Sequence, residues 1–173
     1  MDEHIKSLRR RFYERWWILF HLRHHGFNQE ELVRVYKTVI RPVFDYCAVI
    51  YHPMLTDDQD QMLERFQRQA LKVAFGSGLT YTELRERAGI QTLRQIRIEL
   101  SDKFAAKCCD SDRFRHWFPE RRKARSSRSA DKYEELFARC KRYYNSPLFF
   151  MRRRLNGKPG LPYWERHCER RSQ

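Results

Sequence analysis

LTDDQDQMLERFQRQALKVAFG, from Leu55 to Gly76, is the stretch whose reading decides the fold. Thr56 is a natural N-cap, and Gln59 follows three residues later, as a capping box requires. Asp57 and Asp58 occupy the first turn, where the positive end of the helix dipole favours carboxylates. Leu63, Phe66, Ala70 and Val73 recur at helical spacing on one face, and Arg65, Arg68 and Lys72 share another. Gly76 supplies the stop. The stretch predicts an amphipathic helix over 57–75 with a basic outer face.

The same grammar extends in both directions. Upstream, Ile5, Leu8, Phe12, Trp16 and Leu19 keep the helical period over 3–25, interleaved with Arg9, Arg10, Arg11, Arg15 and Arg23, and Gly26 ends the run. Asn28 with Glu31 opens a second helix over 29–51. Its apolar period (Leu32, Val35, Tyr36, Val39, Val43, Tyr46, Ile50) runs through Pro42, which predicts a kink there rather than a break. Downstream, Thr80 with Glu83 starts a short helix ending at Gly89. Thr92 with Gln95 starts a longer one to about Cys109, with Leu93, Ile96, Leu100 and Phe104 inward. Four capping signals, each ahead of an apolar-periodic run and with no alternating strand pattern, predict an all-α fold: a small bundle of about five helices with a basic linker and a C-terminal helical extension.

The composition changes after residue 118. Residues 112–119, DRFRHWFP, read as an aromatic loop, and ERRKARSSRSA carries no apolar period. The expected organisation is a bundle over 1–118, a basic Ser/Arg-rich linker over 119–130, and a basic aromatic helical extension and tail over 131–173. Within the last, Lys132 to Tyr144 reads as a helix with Tyr133, Leu136, Phe137 and Cys140 on one side. Ser146 then caps a short helix that begins with Pro147.

With 173 residues, 41% of them hydrophobic and 14% aromatic, the chain can build a modest core. Its formal net charge of +14 points to a polyanion, nucleic acid ahead of an anionic membrane surface. No apolar run is long enough to span a bilayer, and the charged N-terminus lacks the apolar core of a signal peptide. Five cysteines without framework spacing read as free, mostly buried thiols of a reducing compartment. The expected location is intracellular, nuclear or cytoplasmic, with no secretion and no membrane partner.

Three blocks resemble the region just after the polymerase core in endonuclease–reverse transcriptase polyproteins of non-LTR (LINE-type) retrotransposons. ELVRVYKTVIRPVFDYCAVIYH, residues 31–52, is similar to the family's LxxxYxxxIRPxxxYxxxxW segment, with Tyr51-His52 where many relatives have Trp. LERFQRQALK lies in the opening stretch. TLRQIRIELSDKFAAKC is followed by DRFRHWFP and by ARCKRYYNSPLFFMRRRLN, residues 138–156. The resemblance covers about residues 4–156. It implies helices comparable to a polymerase thumb, which grips an RNA/DNA hybrid behind the active site, and a palm domain as partner.

The resemblance also implies that the catalytic aspartates, which hold two Mg²⁺ ions in the family's palm, lie outside this chain. Asp45 stands alone in FDYC, and Asp57-Asp58 read as first-turn acids. The expectation is therefore a non-enzymatic fragment of an RNA-directed DNA polymerase, with no cofactor of its own and Mg²⁺ only in the palm. No P-loop, G-x-S-x-G or G-x-G-x-x-G occurs. Residues 4–51 also resemble a segment sometimes found beside AlkB-type iron dioxygenases, yet no His-x-Asp pair is present to bind iron. His21, His24 and His25 read as solvated or dipole-compensating side chains in preference to metal ligands.

The candidate nucleic-acid contacts are Arg65, Arg68, Lys72, Arg121, Arg122, Arg142, Tyr143, Tyr144, Arg152, Arg153 and Arg154. Arginines would neutralise phosphates and the tyrosines would stack on unpaired bases, together with Phe149 and Phe150. The competing reading docks Phe149 and Phe150 on the protein and leaves the arginines solvated. A second functional class is a protein-interaction remnant that docks on the palm without activity of its own. Arg121, Arg122, Arg125 and Arg128 also suit a nuclear localisation patch.

Overall fold

All four capping boxes close. The computed structural model describes residues 2–120, 132–134 and 138–158. Within them the fold is all-α, apart from an isolated antiparallel bridge between Glu120 and Tyr133. The helices are α1 (Asp2–His24), α2 (Gln29–Val35), α3 (Arg41–Asp45), α4 (Ala48–Tyr51), α5 (Asp57–Phe75), α6 (Tyr81–Ala88), α7 (Leu93–Asp110), α8 (Lys141–Tyr144) and α9 (Pro147–Leu155). Asn28, Thr56 and Thr80 each accept from the backbone N–H three residues on, and Glu31, Gln59 and Glu83 reach back to the cap N–H. At α7, Gln95 N–H donates to Thr92 Oγ1 at 3.1 Å and Thr92 N–H to Gln95 Oε1 at 3.0 Å.

The second predicted helix is the one the structure revises. It passes Pro42 unbroken, but through a π turn at Tyr36–Ile40, where Arg41 N–H reaches back to Tyr36 O. Proline has no N–H for the carbonyl four residues back, and its ring crowds that carbonyl; the wider turn relieves both. Thr38 Oγ1 also donates to Arg34 O at 2.9 Å, a back-bond that favours bending. The helix then stops at Asp45, and the chain reverses at Cys47 in the left-handed region (φ 56). The extra residue in the π turn and this break rotate the downstream phase. Tyr46 and Ile50, expected inward, are exposed, while Ile40 and Phe44 are buried instead.

The chain divides into two compact units. The first holds the described residues up to Cys47 together with Thr56–Arg97. The second holds Ala48–Leu55 and the described residues from Ile98 on. This division falls inside α7, whereas the linker expected over 119–130 lies almost wholly outside the described residues.

In the first unit α5 is the central helix, packed against α1, α2 and α6. Phe12 of α1, Phe44 of α3 and Phe66 of α5 form an aromatic triad, with Phe12–Phe66 centroids 4.7 Å apart and Phe44–Phe66 6.2 Å apart. Polar side chains on α5 then fix its neighbours. Gln67, fully buried, accepts from Tyr36 hydroxyl at 3.0 Å and donates to Gln91 O at 2.8 Å. Glu64 accepts from Arg94 N–H at 2.8 Å, from Leu93 N–H at 3.3 Å and from the Tyr81 hydroxyl. The carboxylate thus sits on the positive end of α7. Asp60 pairs with the buried Arg97; burial pushes the Asp60 carboxyl up, and Arg97 opposes that.

In the second unit Ala105, Cys108, Phe118, Tyr133, Phe150 and Met151 form the core. Along α7 the inward residues here are Ser101, Ala105 and Cys108, and Phe104, expected inward, is 41% exposed. The helix expected over Lys132–Tyr144 is present only at Lys141–Tyr144 among the described residues. Tyr133 is extended there: its N–H donates to Asn156 Oδ1 at 2.9 Å and its carbonyl accepts from Asn156 Nδ2 at 3.0 Å. Leu136 and Phe137 lie outside the described residues. Ser146 caps α9 without a side-chain bond; its carbonyl accepts from Phe150 N–H. Of the described cysteines, Cys108 is buried, but Cys47 and Cys140 are exposed, against the expectation of mostly buried thiols. Among the described residues no helix is long and apolar enough to cross a membrane.

Two predictions follow from the helix ends. Glu64→Ala removes three acceptor contacts and is expected to lower stability by about 2 kcal/mol, with Glu64→Gln milder, measured as urea midpoints. The cap bonds from Thr80 hold the Glu83 carboxyl below its ordinary 4.5. Glu83's half of the α6 cap is therefore at full strength above that pH and weakens as pH falls through the lowered value, so the protection of the first α6 amides, taken relative to intrinsic exchange at each pH, is expected to fall there while that of α5 does not follow.

Candidate nucleic-acid interface

The 3.6-residue period places Gln61, Arg65, Arg68 and Lys72 in one row on α5. That row lies directly opposite the stripe of Leu63, Phe66, Gln67, Ala70 and Ala74, all buried. Arg65 and Arg68 are exposed and Lys72 is half-buried. None of the three is held in an ion pair among the described residues. The ridge exists because the inward face of α5 is satisfied by its own polar partners, leaving these cations to solvent.

A concavity flanks the ridge on each side, both within the first unit. Toward α6 and α7, a cavity of about 370 Å³ is lined by Arg65, Arg68, Tyr81 and Arg94, but also by Asp57, Asp60 and Glu64. Its acids offset its arginines, so it is a poor anion site. Toward α1, a slot of about 370 Å³ is lined by Trp16, Phe20, Arg23, Gln69, Lys72 and Val73. The latter holds two cations and no acid. A third cavity, about 570 Å³, combines Arg34, Lys37 and Arg87 with Glu30, and Lys37 Nζ there donates to Ala88 O at 3.2 Å.

The arginine triplet belongs to the second unit and is engaged there. Arg152 is 6% exposed and Arg153 3% exposed, inside the second unit. Arg152 donates to Trp117 O at 2.8 Å and to Glu134 O at 3.3 Å, and burial lowers its guanidinium pKa. Arg153 lies over the Tyr144 ring at 4.6 Å. Arg154 forks onto Asp102 at 3.0 and 2.5 Å, and that bond raises its pKa. These side chains hold α9 in place: Arg152 and Arg153 are buried, and Arg154, half-buried, is paired with Asp102. Phe149 and Phe150 are buried as well, which favours the docking reading of that helix. Tyr144 packs on Phe149 at 5.2 Å, and Tyr143 stays 42% exposed. Arg121 and Arg122 lie outside the described residues, as does the side chain of Arg142.

The sequence reading placed only Trp16 of the α1 aromatic row, in the inward stripe, and did not select Tyr13, Trp17 or Phe20. Tyr13, Trp16, Trp17 and Phe20 follow one another at helical spacing, and Trp17 and Phe20 are 60% and 51% exposed. For Tyr13, Trp17 and Phe20 the signal was legible as aromatics outside the predicted stripe; Trp16, expected inward, is half-buried. Among the acids, Asp57 and Asp58 stand at the start of α5, and Asp45 accepts from Arg41 at 3.1 Å, its carboxyl pushed up by burial. The His21 ring lies 3.6 Å from Trp17, and His24 and His25 are exposed. Among the described residues no group of three His, Cys, Asp or Glu is placed to hold a metal ion.

The chain matches no family model, no curated protein and no solved structure.

The contrast between the two arginine sets gives a direct check. Arg152→Ala is expected to destabilise the protein by about 2 kcal/mol through its orphaned carbonyls. Arg68→Ala, on the open ridge, is expected to stay within about 0.5 kcal/mol of wild type. Thermal melts of the two variants decide it.

Proposed function

We propose that the chain binds nucleic acid as the thumb-like, post-palm region of a non-LTR retrotransposon reverse transcriptase. The observation that carries the reading is the α5 ridge: Arg65, Arg68 and Lys72 aligned on one face, outside any ion pair among the described residues, on a chain of net charge +14. The order of the three sequence blocks supports the family. The ligand is an RNA/DNA hybrid or a related duplex, held through its phosphates.

The mechanism is electrostatic. Each cation that meets a phosphate releases condensed counterions, so log K falls with log salt by about 0.9 for each contact. A three-residue ridge accounts for a slope of about −2.7 by itself. The test is binding of the purified chain to a labelled hybrid across a salt series. Arg65→Gln with Arg68→Gln is expected to weaken binding and flatten the slope by about 2 units. A wild-type chain that is folded and binds without salt dependence sinks the proposal.

One observation favours a second reading. Trp17 and Ile18 are 60% and 45% exposed on α1, which suits a surface that meets a polymerase palm. A folded chain that ignores nucleic acid and self-associates through this helix would support that reading instead.

A further inference from the structure

We propose that the slot between α1 and α5 receives an unpaired base of a single-stranded segment together with its phosphate. This rests on the nucleic-acid reading above and adds what the ridge lacks, a surface for bases. A row of cations recognises backbone only. Single-strand sites combine a cationic track with aromatic faces on which bases stack.

The slot has both parts. Trp16 and Phe20 stand one turn apart with centroids 5.9 Å apart and planes tilted by 31°. Trp16 is half-buried and Phe20 is 51% exposed, so the first is anchored and the second offers an open face. Tyr13 braces the far side: its ring meets Phe66 edge-on at 5.9 Å and Trp16 at 6.3 Å. Arg23 on α1 and Lys72 on α5 supply positive charge, and Gln69 supplies an amide that donates and accepts.

Charge complementarity selects the occupant. Of the three concavities described above, this one combines aromatic walls and cations with no carboxylate in its lining. A planar aromatic group carrying negative charge satisfies all three features at once. An apolar protein segment would cover Phe20 but leave Arg23 and Lys72 without a counter-charge. Lys72 also belongs to the ridge, so a strand leaving a duplex gripped there enters the slot directly. The favoured ligand is a duplex with a single-stranded overhang.

The experiment compares the full chain on a blunt RNA/DNA hybrid and on the same hybrid bearing an oligouridine overhang, by fluorescence anisotropy at fixed salt. Wild type is expected to bind the overhang substrate more tightly. Phe20→Ala is expected to lose about tenfold on the overhang and nothing on the blunt hybrid, with an unchanged salt slope. Phe20→Trp is expected to restore binding. Tyr46→Ala, an exposed aromatic change off the slot, is expected to leave both affinities alone. Thermal melting confirms that each variant is folded. If folded Phe20→Ala binds the overhang like wild type, or loses equally on the blunt hybrid, the slot proposal is overturned while the ridge reading stands. If wild type binds neither substrate, the nucleic-acid reading itself is overturned.

Discussion

The carboxylate of Glu64 is the contact on which the first unit depends. It stands midway along α5 and receives the N-terminus of α7 and the hydroxyl of α6's first residue, Tyr81. One turn before it, Asp60 holds Arg97 on the next turn of α7. One turn after it, Gln67 ties Tyr36 to the carbonyl of Gln91, just ahead of α7. Three polar residues along one edge of one helix thereby fix the register of four neighbouring segments. Apolar packing alone is non-directional and leaves such register weakly specified. A buried ion pair such as Asp60–Arg97 adds little net stability over an apolar pair of the same shape. Its effect here is positional: a carboxylate and a guanidinium on facing turns meet in one rotation of α7.

This arrangement explains why the tract LERFQRQALK carries the most information in the chain. Its residues divide by face. Leu63, Ala70 and Leu71 are buried apolar contacts, Glu64 and Gln67 are directional locks, and Arg65, Arg68 and Lys72 remain outside. A helix with all its inward polar groups satisfied internally can present uncommitted cations on the opposite side. The ridge is a consequence of the lock.

Most of the fold was legible in the sequence because helix starts are encoded locally. The N-cap and its partner lie three residues apart, so Asn28–Glu31, Thr56–Gln59, Thr80–Glu83 and Thr92–Gln95 required no tertiary information. Val39 to Ile50 was not legible in the same way. Apolar periodicity assumes a constant period, and the π turn ahead of Pro42 inserts a residue that the pattern cannot show. The left-handed turn at Cys47 has no glycine to mark it. Tyr133 likewise reads as helical from its neighbours, and the distant Asn156 side chain and the bridge to Glu120 determine its extended backbone. The inward roles of Glu64 and Gln67 were hidden for the same reason, since polar residues between arginines look solvated until their partners are placed.

Charge was the least local property of all. Arg152, Arg153 and Arg154 contribute to the +14 as fully as Arg65, Arg68 and Lys72 do. Yet Arg152 reaches two backbone carbonyls, Arg153 covers an aromatic face, and Arg154 is neutralised by Asp102. A consecutive triplet on a short helix spans most of a turn, so its members cannot all face solvent. Spacing of three and four residues, as in 65–68–72, keeps cations on one face and is the more informative pattern. The charge that a polyanion can meet is therefore smaller than the formal count, and in the first unit Arg65, Arg68 and Lys72 remain available to it, with Lys72 beside Trp16 and Phe20 of α1.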